Sequence, residues 1–128
     1  MSQNYEDVVK FADKFGIPRL AKPGLLDDNT FCFRVGHLRE EVEEFTEAHC
    51  DGDLEAAADA LADLVYVAIG TAVCMGIPWD RVWDEVQRAN MEKVRARTAG
   101  DSKRGNALDV VKPAGWRKPD HSWLVRKA

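Results

Sequence analysis

Two groups of carboxylates are the residues of this chain best suited to chemistry. Glu40, Glu41, Glu43 and Glu44 form the first; Asp59 and Asp63 form the second, which runs directly into the apolar stretch 64–72. No Lys or Arg lies between Glu40 and Arg81. Packing one group against the other therefore calls for cations that this stretch does not carry. Donor sets made only of carboxylate oxygens suit a hard divalent ion, Mg²⁺ or Mn²⁺. Such ions bind phosphate oxygens and lower the pKa of a bound water, which is the chemistry of metal-assisted phosphate-ester and anhydride hydrolysis.

The elements that must position these acids are helical. With Leu38, Val42 and Phe45 as the buried stripe of one helix, Glu41 and Glu44 border that stripe. Glu40 lies further round and Glu43 faces away. Taken alone, such a string reads as a solvated acidic face. The second group changes that reading. Leu61, Leu64, Val65, Ala68, Ala72 and Met75 share one side of a helix, and Val67 and Val73 make the rest apolar as well. A helix apolar nearly all round is predicted to be buried. Asp63 sits within it, and a buried carboxylate must be protonated, paired or bound to a cation.

Around these two helices the chain reads as all-α. A first amphipathic helix is expected over 3–15, ended by Gly16 and Pro18, with a Pro- and Gly-rich loop over 16–29. The second helix runs from about Thr30 to about His49. Asp51-Gly52-Asp53 is a short turn with Asp53 as N-cap, so helices two and three form an antiparallel hairpin. Gly76 ends helix three and Pro78 opens helix four. Helix four is expected over 79–98, its stripe of Trp79, Val82, Trp83, Val86 and Ala89 continuing into Asn90 and Lys93. Residues 99–128 are irregular and basic, with Lys103, Arg104, Lys112, Arg117, Lys118, Arg126 and Lys127. Trp116 and Trp123 in that segment need a surface to cover them. The expected organisation is one domain, 1–128, with a helical core over 1–98 and an irregular segment over 99–128.

Composition bounds the function. The 128 residues are 45% hydrophobic and 31% charged, as in a soluble globular domain. A net charge of −4 argues against coating nucleic acid. Cys32, Cys50 and Cys74 make no CxxC pair and no even disulfide framework, which suggests reduced thiols and a cytoplasmic setting. Residues 64–79 carry no charge, but the run is short, broken by Gly70, Gly76 and Pro78, and flanked by Asp63, so a core helix is expected and no membrane span. The acidic N-terminus, MSQNYEDVV, has no signal-peptide character. No GxxxxGK[ST] loop is present, which excludes a P-loop NTPase.

EEVEE at 40–44, DALAD at 59–63 and LVYVAIGTA at 64–72 resemble the MazG-type all-α nucleoside triphosphate pyrophosphohydrolases, whose pattern is EExxE, a loop, then ExxD. EDVVKFADKFGIP near the N-terminus, RANMEK at 88–93 and KPAGW…PD at 112–120 resemble the phage and bacterial single-domain branch, a relative of phosphoribosyl-ATP pyrophosphohydrolase. The resemblance implies a four-helix-bundle-type core completed by oligomerisation, as a dimer or, more in keeping with the branch, a tetramer. It implies metal ligands at Glu41, Glu44 and Asp63. Where the family carries a Glu three residues before the last Asp, this chain has Ala60, and Asp59 is the expected substitute. Glu40, beside the ligands, is the candidate to orient or deprotonate water. Asn90 and Lys93 match family residues that face nucleotide phosphates, although Lys93 read alone would equally pair with the acids. Arg34 and His37 precede Glu41 on the same face, either as its ion-pair partners or as contacts to substrate. Lys112 joins the expected substrate-binding set.

The expected function is thus metal-dependent hydrolysis of a nucleoside triphosphate to the monophosphate and pyrophosphate, with dGTP the first-guess substrate and dUTP and dCTP as alternatives. Phe31, Phe33, Trp79, Trp83 and the N-terminal aromatics are the candidate stacking groups for the base. The setting would be the cytoplasm, that of the host if the chain is phage-encoded. Two other readings stand beside it: a non-enzymatic helical oligomerisation or regulatory module, and hydrolysis of phosphoribosyl-ATP on the same fold.

Overall fold

The computed structural model describes residues 1–125, so Arg126 and Lys127 of the basic tail lie outside the described residues. The fold is all-α, with 61% of residues helical and a single two-stranded ribbon. Four helices follow one another: α1 (Gln3–Lys14), α2 (Asp28–Cys50), α3 (Leu54–Cys74) and α4 (Trp79–Met91). The chain divides into two units, the first ending at Asp80 and the second beginning at Arg81.

In the first unit α3 packs on both α1 and α2. Its Ala-rich first half favours helix, and Asp53 caps it by accepting from the Ala56 N–H at 3.0 Å. Asp27 caps α2 by accepting from the N–H and hydroxyl of Thr30, each at 2.8 Å. Those two bonds hold the Asp27 carboxyl below its usual range. The far end of α3 is closed by the loop after α1, where the N–H of Leu20 bonds the Cys74 carbonyl and the N–H of Gly24 bonds that of Met75. Gly76, at φ +67°, leaves the helix left-handed, and a Cβ there would meet the Leu20 carbonyl oxygen at 2.7 Å. Turn and loop therefore both require glycine at that position.

The faces of α2 and α3 differ from the expected stripes. Small residues are buried on both helices, Ala48 on α2 and Ala57 and Ala60 on α3, along with Glu41 of α2. Small side chains let the backbones approach, and larger ones are left outside. Leu61 is 45% exposed, Val65 50% and Val42 48%, although all three belonged to predicted buried stripes. A second line on α3, Ile69 and Val73, packs with Val8 and Ala12 of α1, flanked by Tyr5, Val9, Ile17 and Trp79. α3 is therefore apolar on two sides for packing and on a third that the described residues leave exposed. By length and composition alone it would also pass as a membrane span.

In the second unit α4 ends at Met91, earlier than the expected 98. The β-branched Val94 and Val110–Val111 explain the early end. Two-residue strands β1 (Val94–Arg95) and β2 (Val110–Val111) pair antiparallel, Val94 with Val111 and Arg95 with Val110. The intervening loop is tied by Asp109, whose carboxylate accepts from Ser102 Oγ and Arg104 Nη1. The remaining segment is fastened to α4. Trp116 Nε1 donates to the Ala89 carbonyl at 2.7 Å, and the Arg81 guanidinium lies 3.7 Å from the Trp123 ring centroid.

Candidate metal centre on the acidic hairpin

The α2–α3 hairpin gathers three acids. Glu41 and Glu44 of α2 and Asp63 of α3 each place a carboxylate oxygen within 4.8 Å of the others. Glu44 and Asp63 are exposed, whereas Glu41 is 8% exposed. The buried acid is thus Glu41 and not Asp63, the reverse of the sequence-based expectation. The reason is the turn of α2. Arg34, His37, Glu41 and Ala48 recur at heptad spacing and make the inward face, so Val42 points out.

Burial raises the pKa of Glu41 first, and the neighbouring charges of Glu44 and Asp63 raise it further. His37 opposes them only weakly, with Nε2 standing 3.4 Å from Glu41 Oε1. The other oxygen, Oε2, is buried and has no hydrogen-bond partner. A buried carboxylate oxygen without a donor is costly. Beside two further carboxylates it fits a divalent cation: the donor set is all oxygen, and a histidine nitrogen stands close to the second oxygen of one member. Glu41, Glu44 and Asp63 could therefore hold a metal ion.

The other expected site residues fall as follows. Glu40 is exposed, one residue before Glu41, and outside the group of three. Asp59 is exposed one turn before Asp63 and is likewise outside it. Ala60, at the position of the family's Glu, is buried. Arg34 makes no ion pair with an acid among the described residues. Its Nε donates to Thr71 Oγ1 at 3.0 Å and its Nη2 to the Val67 carbonyl at 2.9 Å, which ties α2 to α3. Asn90, Lys93 and Lys112 belong to the second unit. Asn90 is exposed near the end of α4, while Lys93 has left the helix and its N–H bonds the Asn90 carbonyl. Lys93 and Lys112 both approach the Trp116 ring, at 5.5 and 4.9 Å from its centroid. Sequence reading missed that convergence, because Trp116 is far from Lys93 along the chain.

No curated protein matches the chain. The family model of phosphoribosyl-ATP pyrophosphohydrolase matches residues 8–90, a span that takes in the hairpin, all three clustered acids and most of α4. Members of that family are metal-dependent nucleotide pyrophosphohydrolases, in keeping with three clustered carboxylates, one of which has a buried, unpartnered oxygen. With the match covering well over half of its length, the chain belongs to the phosphoribosyl-ATP pyrophosphohydrolase family, within the MazG-like superfamily.

Proposed function

We propose that the protein hydrolyses the α–β anhydride of a nucleoside triphosphate, adding water and releasing the monophosphate and pyrophosphate, with a deoxynucleotide, dGTP first, as substrate. The observation that carries this reading is the trio Glu41, Glu44 and Asp63, with the buried, unpartnered Glu41 Oε2 among them. These residues would hold Mg²⁺ or Mn²⁺, with Asp59 as a further candidate ligand. Bound there, the ion would neutralise phosphate charge and acidify a water. His37 Nε2 stands beside Glu41 Oε1, while Oε2 is buried and unpartnered. Glu40, next to the ligands on the exposed side, is the group to orient or accept a proton from water. Asn90, Lys93 and Lys112 enter the proposal as phosphate contacts on the resemblance; Lys93 and Lys112 have no ion-pair partner among the described residues.

A second reading, hydrolysis of phosphoribosyl-ATP, is favoured by the family model itself. A panel of NTPs, dNTPs and phosphoribosyl-ATP with Mn²⁺, scored for pyrophosphate against phosphate release, separates the two. The reading expects pyrophosphate from a dNTP, abolished by EDTA. Release of phosphate alone, or turnover of phosphoribosyl-ATP alone, would overturn it.

The same proposal includes self-association in the cytoplasm. Leu54, Leu61 and Val65 on α3 and Val42 on α2 are exposed and apolar, and a second copy would cover them. Light scattering should give at least a dimer; a mass of 14.3 kDa at micromolar concentration would contradict it.

A further inference from the structure

One turn beyond the acids, the hairpin and α1 form a pocket of about 90 Å³ that opens to solvent, lined by Val8, Phe11, Tyr66 and Val67 with Arg34 and His37. The order along the hairpin is regular. Glu41 meets Asp63 in one layer, His37 and Tyr66 lie on the pocket side of it, and Arg34 seats against Gly70 in the last. The pocket and the acids therefore share His37, which touches Glu41 and lines the cavity. Phe11 and Tyr66 meet edge to face at 5.4 Å, both partly exposed, and offer ring surface to a planar ligand.

The polar end of this pocket is an arginine. Arg34 is half-buried, has no carboxylate partner among the described residues, and is fixed by Thr71 Oγ1 and the Val67 carbonyl. It seats where it does because residue 70 is glycine: a Cβ there would lie 2.6 Å from Nη2. Two of its five N–H donors are used, and the rest can meet only acceptors.

We infer that this pocket is the nucleobase subsite and that Arg34 selects a base presenting paired acceptors, the O6 and N7 of guanine, over adenine. Adenine turns its N6 amino donor toward a group that has donors only, and so leaves both unpaired. The inference rests on the pyrophosphohydrolase reading and deepens it, since phosphoribosyl-ATP carries an adenine ring.

The test uses the unmodified protein first. With Mn²⁺, kcat/KM is measured for dGTP, dITP, 7-deaza-dGTP and dATP. dITP keeps O6 and N7 and should match dGTP; 7-deaza-dGTP lacks N7 and should fall about tenfold, and dATP by tenfold to about a hundredfold. Arg34→Gln, whose amide both donates and accepts, should shift the dGTP:dATP ratio toward adenine, and Arg34→Lys should keep the sign of the preference. Calorimetry of dGMP and dAMP in EDTA reads the pocket without metal or turnover, and dGMP should bind more tightly. Equal use of all four triphosphates would overturn the base assignment and leave the hydrolase reading standing. If no triphosphate is cleaved, dGMP preference in EDTA upholds the pocket while the hydrolase reading falls; equal or absent binding overturns the pocket too. Equal losses for both purines in Arg34→Gln would make Arg34 a brace between helices.

Discussion

Glu41 on α2 and Glu85 on α4 are both helical glutamates in acid-rich sequence, and their surroundings push them in opposite directions. Glu85 Oε1 accepts from Arg88 Nε and Nη2 and from the Asp120 N–H. Arg88 also bonds Glu92 at 2.6 Å and reaches the carbonyls of Arg117 and Lys118. The Glu85 carboxyl is accordingly held below its usual range, by the Arg88 bond first. Glu41 is raised, by burial first and then by its acidic neighbours, and one of its oxygens has no partner. At 85 the same helix supplies the countercharge three residues on. At 41 no Lys or Arg follows until Arg81. One carboxylate is a strut that fastens the C-terminal segment; the other is left for a cation that the chain does not provide.

Glu41→Gln sharpens the contrast most. It should lower metal-dependent hydrolysis by about a hundredfold or more. In EDTA it should leave the protein as stable as the parent or more so, because the uncharged amide removes a repelled, buried charge. A steady-state assay beside a thermal melt checks both, and a strong destabilisation in EDTA would make Glu41 a strut like Glu85.

The pH dependence follows from the same opposition. Glu41 is raised above its ordinary 4.5, so the folded state binds its proton more tightly than the unfolded chain does. Its contribution is present at and below 4.5 and is lost as pH rises through the raised value. Metal competes with that proton, so Mn²⁺ should stabilise less as pH falls through the same range. Glu85, Asp80, Asp109 and Asp27 are lowered, so their contributions are present above their ordinary values and lost as pH falls through the depressed ones. Melts of parent and Glu41→Gln in EDTA across pH 4–8 should diverge in favour of the variant as pH rises; curves that stay parallel would deny the raised pKa.

Arg88→Ala carries the smallest expected effect. It should lower the melting temperature by several degrees through loss of the Glu85, Glu92 and carbonyl bonds, while the increment from Mn²⁺ stays unchanged. A change in that increment would join two regions that this account keeps separate in role.

Local signals carried much of the fold. Asp53 reads as a cap, Asp51-Gly52 as a turn and Gly76 as a stop because each acts through its own backbone neighbours. The three clustered acids were legible because Glu41 and Glu44 stand three residues apart on α2 and the short turn after it brings Asp63 of α3 alongside. The burial of Glu41 was not, since the contact face of α2 is built from Arg34, His37, Glu41 and Ala48, which no hydrophobic periodicity marks. The anchoring of Arg34 was hidden because one acceptor is a backbone carbonyl on another helix. Two-residue strands lie below any periodic signal, so the helix expected to carry Lys93 stops short of it.

The most direct test of the central claim is the response of the fold to metal. Parent and Asp63→Asn are melted with EDTA and with millimolar Mn²⁺. The parent should gain stability by mass action, about 2.7 kcal/mol at a hundredfold excess over Kd. Asp63→Asn should lose most of that gain while melting in EDTA no lower than the parent. A parent whose melt ignores Mn²⁺, or a variant that gains as much as the parent, would contradict the assignment of Glu41, Glu44 and Asp63 as a metal centre.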